Sequence, residues 1–213
     1  MSHDPSALLQ HIRDAFARTP YPGDAFLQGS FDGCEPGEAV APFRGERDWT
    51  RLAAEALDAN YDALSFFSEG AFRFFLPAFM TADVRQELRT ADPVFHLTGG
   101  FHEIAVDVPM GTTIVTRRSG GGVPINPRRY GAITFEDYGR FRLSVFSREE
   151  CGAIVAYLTH RQGSSPSSET AVAIAAALDR FWIPRASHAP TTAALERHVE
   201  EEGRFLRSIT GDP

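Results

Sequence analysis

The chain contains no lysine: all 21 of its basic residues are arginine. Schiff-base chemistry on a lysine, a P-loop lysine on a phosphate and the strand lysine of a protein kinase are excluded together. Cysteine is almost as scarce. Cys34 and Cys151 form neither a CxxC nor a metal-ligand pair, so both are expected to be reduced structural thiols. Long apolar runs are missing too. The richest stretch, Leu64 to Met80, is interrupted by Ser65, Ser68, Glu69, Gly70 and Arg73, and falls short of the run of about 18 apolar residues that spans a bilayer. The opening "MSHDPSALLQ" has no basic segment followed by an apolar one, so no secretory leader is expected and the default compartment is the cytoplasm. A net charge of −7 argues against nucleic acid as a partner, because that affinity comes from neutralised phosphates. GxSxG, HExxH, GxGxxG and the GKS or GKT of a P-loop are all absent.

What is present is an ordinary globular composition, 43% hydrophobic over 213 residues and rich in Phe. A chain of this length suits one domain that buries roughly 70% of its unfolded surface. Leu8, Leu9, Ile12, Ala15 and Phe16 recur at helical spacing behind Asp4 as N-cap and Pro5 at the first helical position. "YPGD", residues 21–24, is a turn by composition. A short helix is expected through "GEAVAPF", and another from Asp48 with Trp49, Leu52, Ala53 and Leu57 on one face. Ser68 then caps a helix apolar on nearly every side, which reads as buried. Pro77 inside it predicts a kink or a restart, and the helix is expected to continue to the residue before Pro93.

Residues 99–142 differ in character. "HEIAVDV" and "TTIVTRR" flank "PMG" and predict a β-hairpin, and "SGGGVPINP" reads as a flexible loop. Helices resume at Ser147, where "SREE" matches a capping box with Glu150 at N3. An alanine-rich helix stopped at Pro184 and a last helix from Thr192 to Ile209 follow. That last helix carries Leu195, Val199, Phe205, Leu206 and Ile209 on a narrow stripe that must be buried, within the chain by preference or in a dimer seam. The expected fold is mainly α: one multi-helical domain over 1–213, with a β-hairpin and Gly/Pro-rich excursion at 99–142 and a C-terminal helix within 190–213.

Signals for chemistry are weak. "SGGGV" lies between Arg117–Arg118 and Arg128–Arg129, which suits a solvated hairpin-end loop; an anion site or a contact to an acidic partner protein are the sharper alternatives. His96, His102 and Glu103 are close in sequence, and His198 and Glu202 sit at i, i+4, but a zinc site wants at least three protein ligands, so no metal or cofactor is expected. The informative residue is Arg73, a lone cation in a greasy helix. Burying it costs several kcal/mol, by rough estimate, unless it is paired. Asp24 in the "YPGD" turn and Glu38 are the candidate partners, and a guanidinium that snorkels to the surface is the bland alternative. Tyr21, Asp24, Glu38 and Arg73 together form the candidate binding site.

The blocks "AFARTPYPGDAFL", "CEPGEAVAPFRGERDW", "LSFFSEGAFRFFLPAFM", "RFRLSVFSREECGAIVAYL" and "ALDRFW" resemble a bacterial family known as domain of unknown function 6714, over most of residues 8–183. The resemblance implies a helix-rich single domain from a bacterium and implies no activity. The functional expectation is a cytoplasmic, non-catalytic binding or interaction protein, of immunity or regulatory type, monomeric in preference to dimeric and with a protein partner. Two alternatives stand beside it: an enzyme with its site around the "YPGD" turn and Arg73, and a homodimer using the last helix.

Overall fold

The computed structural model describes residues 4–31, 33–111, 113–123, 132–164, 167–198 and 200–201. The first half holds α1 (Pro5–Phe16), α2 (Glu35–Val40), α3 (Ala54–Ala59), α4 (Ala63–Phe66), α5 (Glu69–Val84) and α6 (Pro93–Thr98). The antiparallel strands β1 (Glu103–Met110) and β2 (Thr113–Gly120) follow. Then come α7 (Phe135–Arg142), α8 (Arg148–Ser164), α9 (Ser168–Ala177) and α10 (Ile183–His188). The fold is mainly α. Among the described residues the buried hydrophobic side chains, Ala39 and Ala132 apart, form one cluster running from Leu8 to Ala189.

Helix α1 starts where expected, with Asp4 accepting from the Ser6 amide at 3.0 Å and Leu8, Ile12 and Phe16 turned to the core. It packs on α5 and α8. Helix α5 is the centre of the molecule and is buried along almost its whole length. Ser68 caps it by accepting from the Ala71 amide at 3.1 Å, and it runs unbroken through Pro77.

Four local expectations are corrected. Residues 49–59 form a 3₁₀ turn, Trp49–Arg51, and the separate α3, because Leu52 and Ala53 are extended. Helix α5 stops at Val84 and does not continue to 92. Gln86 takes φ 61, so the Glu87 amide reaches back to the Ala82 carbonyl at 2.9 Å and closes the helix in Schellman fashion. The Asp58 carboxylate then gathers the amides of Arg89, Thr90 and Ala91 at 3.1, 2.7 and 2.8 Å and fixes the turn. The hairpin is present, but Pro109 and Met110 belong to β1, whose last residue pairs with Thr113. Pro184 does not stop its helix either. The turn before it widens into a π turn, Leu178–Trp182, and the Arg180 carbonyl, which Pro184 cannot serve, receives Arg140 Nη2 at 3.0 Å.

The chain's last described segment is helical at 192–198 and 200–201 and folds back on the start of α8. Thr192 donates its amide and hydroxyl to Glu149 Oε2 at 2.9 and 3.0 Å, and Arg18 pairs with Glu196. Leu195 is half-buried there, while Val199, Phe205, Leu206 and Ile209 lie outside the described side chains. Among the described residues no helix is long and apolar enough to cross a membrane.

The two thiols differ in access. Cys34 is exposed and Cys151 is buried, its thiol pushed up to about 12 by that burial. Alkylation of native protein is expected to label Cys34 alone, with Cys151 reacting only after unfolding in urea. Mass spectrometry reads the count. Fast labelling of both would mean that α8 does not hold its place in the core.

Candidate functional site

Arg73 leaves α5 toward α8, and its Nε meets both oxygens of Glu150 at 3.0 and 2.9 Å. The Glu150 side chain is fully buried and that of Arg73 is 16% exposed. The expected partners were Asp24 and Glu38; both are exposed, and Glu150 takes the arginine in their place. The reason lies in the capping box. Glu150 at N3 turns its carboxylate back to the Ser147 amide at 2.7 Å, which aims it into the body, where the Thr19 hydroxyl also donates to it at 2.5 Å. A carboxylate already committed to the interior is the stronger partner for a cation in a buried helix face.

The "YPGD" turn makes its own network. The Tyr21 hydroxyl donates to Asp24 Oδ1, and the Gly45 amide reaches the same oxygen at 2.8 Å. The hydrogen bond from Tyr21, then that from Gly45, hold the Asp24 carboxyl below its usual range, while burial and the carboxylate push the Tyr21 phenol up. The turn is joined to α5 through ring contacts, Tyr21 standing edge-on to Phe74 and Phe75 at 5.2 and 6.2 Å. Glu38 is exposed on α2 and joins none of these contacts. The four candidate residues thus divide into a Tyr21–Asp24 pair, a distant partner for Arg73, and a solitary Glu38. Arg117 and Arg118 are exposed on β2; Arg128, Arg129 and Glu202 lie outside the described residues.

Two cavities open elsewhere. One of about 310 Å³ lies by the end of α5, with Arg13 and Arg85 in its wall opposed by Glu55 and Glu87. The other, about 390 Å³, lies between α6, α7 and the first turns of α9 and is mostly apolar. His96 and His102 both line it. Asp92 caps α6 by accepting from the Phe95 amide at 3.0 Å, and this short helix presents Val94, Phe95, His96 and Thr98 to the groove. Helix α7 supplies Phe135, Tyr138 and Arg142 from the opposite wall. It is held by a capping box in which Thr134 and Asp137 exchange bonds at 3.1 Å each way. The approach of α7 requires Gly100, which has φ 92 and where a Cβ would stand 2.5 Å from the Phe135 carbonyl.

The inner wall of this groove rests on Phe72, a fully buried core residue. The His96 ring lies 6.3 Å from it, and the Arg142 guanidinium lies over it at 4.7 Å while donating to the Leu64 carbonyl at 2.5 Å. His96 has no hydrogen-bond partner among the described residues. Burial first, and the Arg142 charge second, hold its pKa down at about 3. The rim is apolar: Phe95 is 65% and Phe135 42% exposed. Among the described residues no three His, Cys, Asp or Glu side chains are grouped to hold a metal ion. The sequence reading passed over both walls, although signals existed. "DP" before "VFHLT" repeats the cap that starts α1, and "TFED" is a capping box in the segment read as loop.

Two predictions follow from these contacts. Arg73→Leu strands the buried Glu150 carboxylate and is expected to cost about 3–5 kcal/mol in urea unfolding. Adding Glu150→Gln, which can still accept from Ser147, should restore most of that loss. A double variant as unstable as the single would show that packing, not the stranded charge, carries the effect. His96 is neutral in the folded chain and titrates near 6.5 when unfolded, so the unfolded state binds the extra proton between about pH 6.5 and 3. Its contribution is therefore present above that window and lost as pH falls through it. Melting curves of wild type are expected to drop across the upper part of the window, and those of His96→Gln to stay flatter there. Parallel curves would remove His96 as the source.

No curated protein and no solved structure matches this chain. A family model does match over residues 4–103, from the start of α1 to the first residue of β1. The blocks "RFRLSVFSREECGAIVAYL" and "ALDRFW", on which the resemblance was extended to 183, fall outside that span. The matching model is that of a family of unknown function, DUF6714.

Proposed function

We propose that this chain is a non-catalytic binding protein and that its site is the groove between α6, α7 and α9. The observation that carries the reading is His96, a half-buried imidazole in the wall of a mostly apolar cavity. An imidazole in an apolar wall gives such a cavity one polar group with which to orient a ligand. The apolar lining supplies the driving force, at roughly 25 cal/mol for each Å² removed from water. Phe95 and Phe135 add an exposed apolar rim over which a ligand closes.

The enzyme alternative around Tyr21, Asp24, Glu38 and Arg73 has less support, since Arg73 is engaged by Glu150 and Glu38 stands apart. The dimer alternative loses ground because the start of the last helix is already bonded to Glu149 and Arg18 of the same chain. We accordingly place the protein as a monomer in the cytoplasm, where an acidic chain without lysine presents this groove to a small partner molecule.

A fragment set screened by saturation-transfer NMR tests the reading. Ala173 lies half-buried in the groove wall on α9, so Ala173→Trp fills the space without touching the core. Fragments are expected to bind the wild type and to be lost in Ala173→Trp at unchanged melting temperature. An empty screen, or hits that survive the tryptophan, would defeat the assignment.

A further inference from the structure

The cavity of about 310 Å³ by the end of α5 is built from a different chemistry than the groove and shares no residue with it. Helix α5 turns one face to it, Ala78, Thr81, Ala82 and Arg85, at i, i+3, i+4 and i+7. Helix α1 adds Leu9 and Arg13, one turn apart. The 3₁₀ turn at Trp49 and the first turn of α3, with Glu55, complete the wall. Glu87 arrives through the reversal that ends α5. There Gln86 has φ 61 and the Glu87 amide returns to the Ala82 carbonyl at 2.9 Å, so the backbone carrying Arg85 and Glu87 is fixed.

Arg13 and Arg85 set two positive groups in this wall, and Glu55 and Glu87 two negative ones. Among the described residues none of these four side chains makes an ion pair or a hydrogen bond. Opposite charges that line one cavity without touching leave room between them for a molecule that meets both signs. Two uncharged groups add to the wall. Trp49 is 7% exposed, and its indole N–H makes no hydrogen bond among the described residues; the hydroxyl of the half-buried Thr81 makes none there either.

We propose that this cavity takes a small zwitterion, a molecule with one carboxylate and one ammonium on a short body, as in an amino acid. The acid pairs with an arginine of the wall and the amine with a glutamate. A ligand of one sign is repelled by one pair of wall charges as it is attracted by the other, so the mixed wall selects against net charge. The body lies against Leu9, Ala78 and Ala82, and Trp49 and Thr81 offer it hydrogen bonds. The assignment is independent of the function proposed for the groove.

Titration of the full chain at about pH 7 tests it, with glycine, γ-aminobutanoate and ε-aminohexanoate as zwitterions of increasing reach and hexanoate and hexylamine as singly charged analogues. The indole N–H signals of Trp49 and Trp182 in protein NMR are the readout. One zwitterion of the series is expected to bind about fivefold more tightly than either analogue, as exposed ion pairs allow. It should move the Trp49 signal and leave that of Trp182, which donates to the Leu97 carbonyl. Arg13→Gln with Arg85→Gln should remove the advantage over hexylamine, and Glu55→Gln with Glu87→Gln the advantage over hexanoate. All four side chains are exposed, so melting temperatures should hold. Should either pair unfold, Ala53→Trp, at an exposed position of the wall, is expected to abolish binding. Binding should survive Ala173→Trp; its loss there would move the ligand to the groove and overturn the assignment. Equal or tighter binding of a singly charged analogue, no binding of any zwitterion, or binding that leaves the Trp49 signal in place overturns it as well.

Discussion

The buried carboxylate of Glu150 is the constraint on which the rest of the architecture hangs. Taking that charge out of water costs several kcal/mol, by rough estimate, and only a full set of donors offsets it. The set comes from three parts of the chain: the Thr19 hydroxyl just beyond α1, Arg73 in the middle of α5, and the Ser147 amide at the start of α8. Misplacing any one of the three strands the charge, so the interaction acts as a check on how α1, α5 and α8 meet. The lone cation in the greasy helix is there because a lone anion is buried opposite it.

From this point two consequences spread. Ser147 and Glu149, fixed by the same capping turn, accept the bonds from Thr192 that dock the last helix. One residue earlier, Phe146 stands edge-on to Phe16, Phe72 and Trp182 at 6.2, 6.2 and 5.7 Å. Phe72 in turn meets the His96 ring and the Arg142 guanidinium, and Trp182 donates to the Leu97 carbonyl at 2.9 Å, holding α6 against the π turn. The inner wall of the groove is therefore set by packing that begins at the capping box. A site assembled on core aromatics in this way is held more firmly than one placed on loops.

How much of this could be read beforehand depended on range. Features resolved within four residues were legible: the Asp4 cap on α1, the Ser68 cap on α5, the "SREE" box and the alternation that made the hairpin. The anomaly of Arg73 was legible as well, because a charge inside a buried helical face demands a partner. Its identity was not. Glu150 lies 77 residues away, and nothing in local spacing tells a capping glutamate that turns into the core from one that stays in solvent. Proximity in sequence favoured Asp24 and Glu38, which the fold leaves at the surface. The Pro184 expectation failed for a related reason: the widened π turn precedes the proline ring and Arg140, arriving from α7 40 residues before Arg180, serves the orphaned carbonyl.

The groove was illegible on both counts, being long-range and built from elements too short to show periodicity. Its division between parts of the chain has a further consequence. His96, Phe95 and the Phe72 floor lie within residues 4–103, where the family model matches, whereas Phe135, Arg142 and Ala173 lie beyond. Arg142, which lies over the Phe72 ring and donates to the Leu64 carbonyl, therefore joins the two parts of the chain. The matched span thus covers one wall of the groove, while the opposite wall, on α7 and α9, lies beyond it.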